Sequence, residues 1–143
     1  MKNTLIGWTL TEGRTGVAET PNPRVSEVVA ALEAIRPEVE NPFIVLEAPV
    51  SEDENYPNYC QVLADELGYV CEIRIFTGDE FLHSRAYLPD ANGVLGDDDD
   101  PQFPSLSQAI QILTEFIADP GTLPTVSPVE WLDVSDRFGE MPV

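Results

Sequence analysis

Apolar and polar positions change period along this chain, and each change marks an expected element. Leu5-Ile6-Gly7-Trp8-Thr9-Leu10 reads as a short strand, and a polar stretch with Gly13 and Gly16 runs on to Pro21. Asn22 offers a side-chain acceptor for a helix N-terminus, and Pro23 sits where a missing N–H costs nothing. Val25, Val28, Val29, Leu32 and Ile35 then recur at helical spacing, with Glu27 and Glu33 elsewhere on the wheel. Pro37 stops this helix by Arg36, so the spacing predicts a helix over 25–36. Phe43-Ile44-Val45-Leu46 is too short an apolar run for a helix and reads as a buried strand.

Residues 51–57 are a charged loop. In the next stretch, Asn58 with Gln61 resembles a capping box and Gly68 stands where a C-cap glycine would. Tyr59 to Leu67 is therefore read as a helix of one to two turns, although the same residues could extend a strand. Residues 69–88 form a hairpin. Cys71, Ile73 and Ile75 alternate with Glu72 and Arg74, and Leu82, Ser84, Ala86 and Leu88 alternate with His83, Arg85 and Tyr87. Gly78-Asp79 fits a two-residue turn, which sets Ile75 opposite Leu82 and Cys71 opposite Ala86 on a buried face. On the other face Glu72 meets Arg85, an opposite-charge cross-strand pair.

Pro89 to Pro104 is a loop carrying Asn92-Gly93 and the tetrad Asp97 to Asp100. Ser105 caps a second helix over 106–118, with Gln108 completing a capping box. Leu106, Ala109, Ile110, Leu113, Phe116 and Ile117 make its apolar stripe, and Asp119-Pro120-Gly121 ends it. The tail is Pro-punctuated and contains Trp131. The order of elements predicts a single α+β domain over 1–143, a small antiparallel sheet packed by two main amphipathic helices.

Composition sharpens this picture in one respect. Apolar residues make up 43% and charged residues 23% of 143, ordinary for a globular chain. The balance of charge is not ordinary: 26 acidic residues stand against 7 basic ones, formally −19. Nucleic acid and anionic lipid are bound mainly through Lys and Arg, so neither is an expected partner. A basic protein is, because opposite charge hastens encounter. The N-terminus has no apolar signal region, no run long enough to span a membrane follows, and two cysteines are too few for a disulfide framework. Reduced thiols in a cytoplasmic protein are expected.

Candidate chemistry adds little. A catalytic triad needs a base with an orienting acid, and the single histidine, His83, falls mid-strand on the hairpin's outer face with Arg85 beside it and Arg74 opposite. It is read as a surface strand residue. Zinc wants Cys and His at paired spacings, and four consecutive aspartates before Pro101 do not match a calcium loop. The two Gly before the first helix match no phosphate loop. No enzyme activity, cofactor or metal is expected. The acids instead cluster beside aromatics: Glu52, Asp53 and Glu54 next to Tyr56 and Tyr59, and Asp97, Asp98, Asp99 and Asp100 next to Phe103. An acidic rim around aromatic anchors suits a basic partner, so Glu52–Glu54, Tyr56, Asp97–Asp100 and Phe103 are the candidate contact residues.

Ala86-Tyr87-Leu88, an acidic loop, the run from Ser105 to Ile117, and then Gly121-Thr122-Leu123-Pro124 and Trp131 give the chain a resemblance over roughly residues 69–132. It resembles the immunity-protein family associated with deaminase toxins in bacterial polymorphic toxin systems. In that family a hairpin leads into an amphipathic helix that ends in a Phe-x-x-x-Gly-x-x-Pro type turn and a Trp-containing tail; here Asp119-Pro120 intervene before Gly121. The resemblance implies a small antiparallel α+β protein that binds a cognate toxin and blocks its active site. It implies structural roles for Phe116 in the core, Gly121 and Pro124 at the helix exit, and Trp131 on the sheet. The expected function is thus an immunity protein or comparable inhibitor of a basic, nucleic-acid-directed toxin. The alternatives are an acidic mimic of nucleic acid that occupies a DNA-binding protein, and a small-molecule-binding α+β domain.

Overall fold

Period-two alternation runs further through the chain than the sequence reading expected. The computed structural model describes residues 4–13, 17–38, 42–50, 56–77, 80–89 and 102–135. Among these lie seven strands: β1 (Thr9–Gly13), β2 (Val17–Pro21), β3 (Phe43–Glu47), β4 (Tyr59–Asp65), β5 (Gly68–Thr77), β6 (Glu80–Tyr87) and β7 (Glu130–Asp133). Two helices, α1 (Val25–Ala34) and α2 (Leu106–Ala118), complete the described elements. The strands form one sheet in the order β2-β1-β3-β4-β5-β6-β7, and every neighbouring pair is antiparallel. The fold is α+β.

The registers sort the strand residues into two faces. Leu10 opposes Leu46, Leu46 opposes Cys60, and Cys60 opposes Ile73, so all four share one face. These side chains join Val28 and Leu32 of α1 and Ala109, Ile112, Leu113 and Phe116 of α2 in one buried cluster. Trp8 meets Phe116 edge to face with ring centroids 5.8 Å apart, which ties the approach to β1 to α2. Trp131, opposite Ala86 in the register, packs against the same cluster and donates from Nε1 to the Pro124 carbonyl oxygen at 2.9 Å.

Where local chemistry was specific, the expectation holds. Ser105 caps α2: its Oγ accepts from the Gln108 N–H at 3.3 Å, and the Gln108 side chain accepts from the Ser105 N–H at 2.8 Å. The hairpin register pairs Glu72 with Arg85 and Ile75 with Leu82. Ile73 is buried, but Leu82 remains exposed, because β4 ends opposite Arg74 and leaves the far end of the hairpin two-stranded. The Gly78-Asp79 turn lies outside the described residues.

Four expectations are corrected. Tyr59 to Asp65 is a strand, not a short helix: Cys60, Val62 and Ala64 are buried and alternate with Gln61, Leu63 and Asp65. Gly68 is no helix cap. Its φ of 136° closes the tight turn in which it opposes Asp65, and Asn58 does not cap either, since its Oδ1 accepts from the Phe76 N–H and its Nδ2 donates to the Pro120 carbonyl oxygen. The first strand begins at Thr9, because Gly7, at φ 87°, turns the chain just before it. Asn22 is not the N-cap of α1. It sits at φ 50° and accepts from the Gly7 N–H at 2.7 Å, while Glu27 accepts from the N–H of the actual cap, Arg24. Finally, β2 and β7 occupy the polar stretch and the tail, where no strand was expected. Both are sheet edges, and their exposed Glu19, Glu130 and Asp133 are the kind of residue that discourages edge-to-edge pairing.

Phe116 is fully buried between α2 and the sheet cluster. Phe116→Ala is expected to destabilise the fold by about 3–5 kcal/mol through lost burial and a residual cavity, read as a lowered urea midpoint with an unchanged slope.

Candidate functional site

The sheet face turned away from the shared core carries a run of polar and aromatic side chains centred on Glu72. This residue, Arg74 and Phe76 alternate along β5 with the core-facing Cys71, Ile73 and Ile75. Across β6, Phe81, His83 and Arg85 stand opposite them. Glu72, Arg74 and His83 are buried, an unusual state for three such residues unless they satisfy one another.

They do. The Arg85 Nε–H donates to Glu72 Oε2 at 2.9 Å, and Arg85 Nη1 donates to the Tyr87 hydroxyl at 3.2 Å. His83 Nε2 bonds the other carboxylate oxygen, Oε1. The Arg74 Nε–H donates to His83 Nδ1 at 2.9 Å. An arginine Nε can only donate, so Nδ1 is the acceptor and the ring proton lies on Nε2, pointing at Glu72. Arg74 also lies over the Phe81 ring, 4.2 Å from its centroid, a cation–π contact. Every buried side-chain nitrogen and oxygen among the described residues has a hydrogen-bond partner.

Titration behaviour follows from this packing. Burial alone would push the Glu72 carboxyl up, but the His83 hydrogen bond and the Arg85 guanidinium outweigh it and hold the carboxyl below its usual range. Burial raises the Tyr59 phenol, with Arg74 opposing and Glu72 and Glu47 adding to the rise. Burial raises Glu47 as well, helped by Glu19. On the other face Cys60 and Cys71 are free, buried thiols; burial pushes Cys60 up to about 12 and Cys71 well above the thiol range. Such thiols are poor nucleophiles at neutral pH.

The reading of His83 as a surface residue is therefore corrected. It is 2% exposed and has an orienting carboxylate. The hairpin register contained the signal: with Arg74 opposite His83, Glu72 is the diagonal neighbour on the same face, within reach of long side chains. Ser135 adds a tie from the tail, its Oγ accepting from the His83 N–H at 2.8 Å, and the Val134 N–H donates to the His83 carbonyl oxygen.

Of the sequence-selected contact residues, Glu52, Asp53, Glu54 and Asp97–Asp100 lie outside the described residues. Tyr56 is half-buried and stacks on Phe76, ring centroids 5.2 Å apart. Phe103 is half-buried and stacks on Tyr87 at 5.8 Å. The two aromatics thus sit at opposite ends of the β5–β6 hairpin, joined through the Phe76, Phe81, Arg74, His83, Glu72, Arg85 and Tyr87 contacts. A groove that the sequence did not reveal opens beside Tyr56, lined also by Pro49, Asn58, Ile75, Phe76, Thr77 and Gly121. Gly121 is exposed, and a Cβ added there would meet only Asp119 Oδ1 at 3.9 Å, so no steric need for glycine exists at this helix exit. Among the described residues no three His, Cys, Asp or Glu side chains come together as metal ligands, and no helix is long and apolar enough to cross a membrane.

Comparison with protein-family models, with curated proteins and with solved structures finds no match for this chain.

Two outcomes are expected. The Glu72 carboxyl is held low in the folded state, so its contribution is present above the unfolded carboxyl pKa of about 4.3 and is lost as pH falls through the folded value. Glu72→Ala is expected to cost about 3 kcal/mol at pH 7, the low end for a broken buried pair because Arg85 reaches solvent. The gap in melting temperature between wild type and variant should close below about pH 4. Independently, a disulfide-exchange reagent at pH 8 should leave Cys60 and Cys71 unmodified in native protein and label both in guanidinium.

Proposed function

We propose that this chain is a proteinaceous inhibitor of the immunity-protein kind, a binding module that neutralises a basic, nucleic-acid-directed toxin in the cytoplasm and has no catalytic turnover of its own. The observation that carries this reading is the placement of charge. Of seven basic residues, Arg74 and Arg85 are engaged inside the Glu72–His83 network, so little of the positive charge is left to offset the remaining acids of a chain that has 26 in all. Exposed carboxylates occur on both sheet edges, on α2 and on the turn between β4 and β5, at Glu19, Glu130, Glu115 and Glu66. A toxin that acts on nucleic acid presents a basic substrate surface, and this is the complement.

The single histidine supports the same conclusion. Both ring nitrogens of His83 are bonded within the fold, so recruiting it as a general base would require breaking its contact with Arg74 or with Glu72. The two helices, amphipathic in sequence, back the sheet, and contact with the toxin falls to the loops and surfaces that carry the acids and aromatics. The resemblance over residues 69–132 supports the class of partner.

The test is genetic and then kinetic. The product of the gene directly upstream should arrest growth when expressed alone, and co-expression of this chain should restore it; arrest without rescue contradicts the reading. Against that partner, neutralising Asp97–Asp100 or Glu52-Asp53-Glu54 to Asn and Gln should lower the association rate about tenfold at low salt and change dissociation little, because exposed charges act at long range. Folding stability should stay level or rise slightly as self-repulsion falls. Association insensitive both to salt and to these substitutions would show that the acids serve only solubility.

A further inference from the structure

β4 ends opposite Arg74, whereas β5 and β6 continue as a two-stranded ribbon to Thr77 and Glu80. The gap beside the truncated strand is the groove of about 330 Å³ whose walls are Pro49, Tyr56, Ile75 and Phe76, with Thr77 and Gly121 at its margins. That volume is at the small end for a ligand pocket and suits one large side chain more than a cofactor. Its one amide side chain, Asn58, is bonded to the Phe76 N–H and the Pro120 carbonyl oxygen, and Pro49, Tyr56, Ile75 and Phe76 supply the apolar part of a lining that is otherwise polar.

Exposed apolar residues are linked to the groove by chain and register. The described chain has four large hydrophobics well exposed, and three belong to this neighbourhood: Val50 (48%) adjoins Pro49, Leu82 (36%) opposes Ile75, and Ile6 (73%) adjoins Gly7, which lies against Pro49. Grouped exposure of this kind marks an interaction site more often than single exposed residues do. Arg74, next to Ile75 in the chain, is buried and bonded to His83, and the exposed or half-buried charged residues near the groove in chain and register are acidic. Glu80 opposes Thr77, Asp119 lies two residues before Gly121, and Glu47 lies two residues before Pro49. Arg24 and Arg36, the described exposed cations, flank α1 instead.

We infer that this groove is the anchor site for a basic protein partner, taking one large apolar side chain, Trp or Phe, flanked in the partner by Lys or Arg. An apolar anchor in a pocket with complementary charge around it is the usual arrangement of an interface hot spot. The inference rests on the inhibitor reading and adds where the partner is held.

The probe is a twelve-residue synthetic peptide of Lys, Arg and Ser around a single Trp, with a Trp→Ala peptide of the same charge. Backbone amide NMR titration detects binding into the millimolar range. The Trp peptide should shift Thr77, Gly121 and Ile75 and bind at least tenfold more tightly than the Ala peptide. Gly121→Leu, which fills the groove from an unobstructed position, should weaken the Trp peptide at least tenfold and leave the melting temperature unchanged. Glu80→Gln combined with Asp119→Asn should weaken both peptides severalfold and flatten the salt dependence. Binding of both peptides with equal affinity, or unaffected by Gly121→Leu, would overturn the groove and leave the basic-partner reading standing. No binding by either peptide would overturn the groove, and a growth rescue by co-expression would then show that the inhibitor reading survives without it.

Discussion

The Glu72 carboxylate receives a hydrogen bond at each oxygen, and the order of the whole outer sheet face runs outward from these two contacts. Through Oε1 it accepts a hydrogen bond from the His83 Nε2–H, which leaves Nδ1 as the acceptor that fixes Arg74 over the Phe81 ring. Phe81 leans on Phe76, and Phe76 on Tyr56. Through Oε2 it holds Arg85, which reaches the Tyr87 hydroxyl; Tyr87 stacks on Phe103. Phe103 and Pro104 close over Gly68, and the Pro104 carbonyl oxygen accepts from the Tyr69 N–H just before Ser105 caps α2. One buried acid therefore links the two ends of the hairpin and the start of the second helix. Removing either end of such a pair leaves an uncompensated charge, whereas the complete network satisfies every member.

This arrangement also determines the outward charge. Positive side chains are scarce in this chain, and the fold places two of them where they answer one carboxylate and several aromatic rings instead of the acidic surface. In ordinary surface pairing they would have screened their neighbours. Here both are committed to the network and not to the exposed carboxylates at Glu19, Glu66, Glu115 and Glu130. The groove beside Tyr56 lies at the end of the same run of contacts, because the stacking of Tyr56 on Phe76 forms one of its walls.

Much of the fold was legible wherever a residue type answered a specific local need. Ser105 with Gln108 marked the start of α2, the apolar stripe through Phe116 carried it to Ala118, and alternation with opposite charges at Glu72 and Arg85 fixed the hairpin register. Strand β4 is ambiguous in sequence because Asn58, Gln61 and Gly68 imitate helix caps, whereas the partners of Asn58 and Gly68, the Phe76 N–H and the turn opposite Asp65, are decided by tertiary pairing. Strands β2 and β7 are short edges rich in Glu, Thr and Pro, too weakly apolar for periodicity to register. The candidate site was half legible. Tyr56 and Phe103 stand beside acidic clusters in the sequence, but the groove is assembled from β3's exit, β5 and the exit of α2, which no local window contains. His83 was misplaced for a similar reason, since its carboxylate partner comes from a diagonal neighbour.

Long-range proton–nitrogen correlation on histidine-labelled protein at pH 7 tests the centre of this account directly, since the chain has one histidine. The structure requires a single ring state with the proton on Nε2, directed at Glu72, and a bare Nδ1 accepting from Arg74. Spectra showing that state, and losing it in Glu72→Ala, would establish the network as described. A ring protonated at Nδ1 would contradict it.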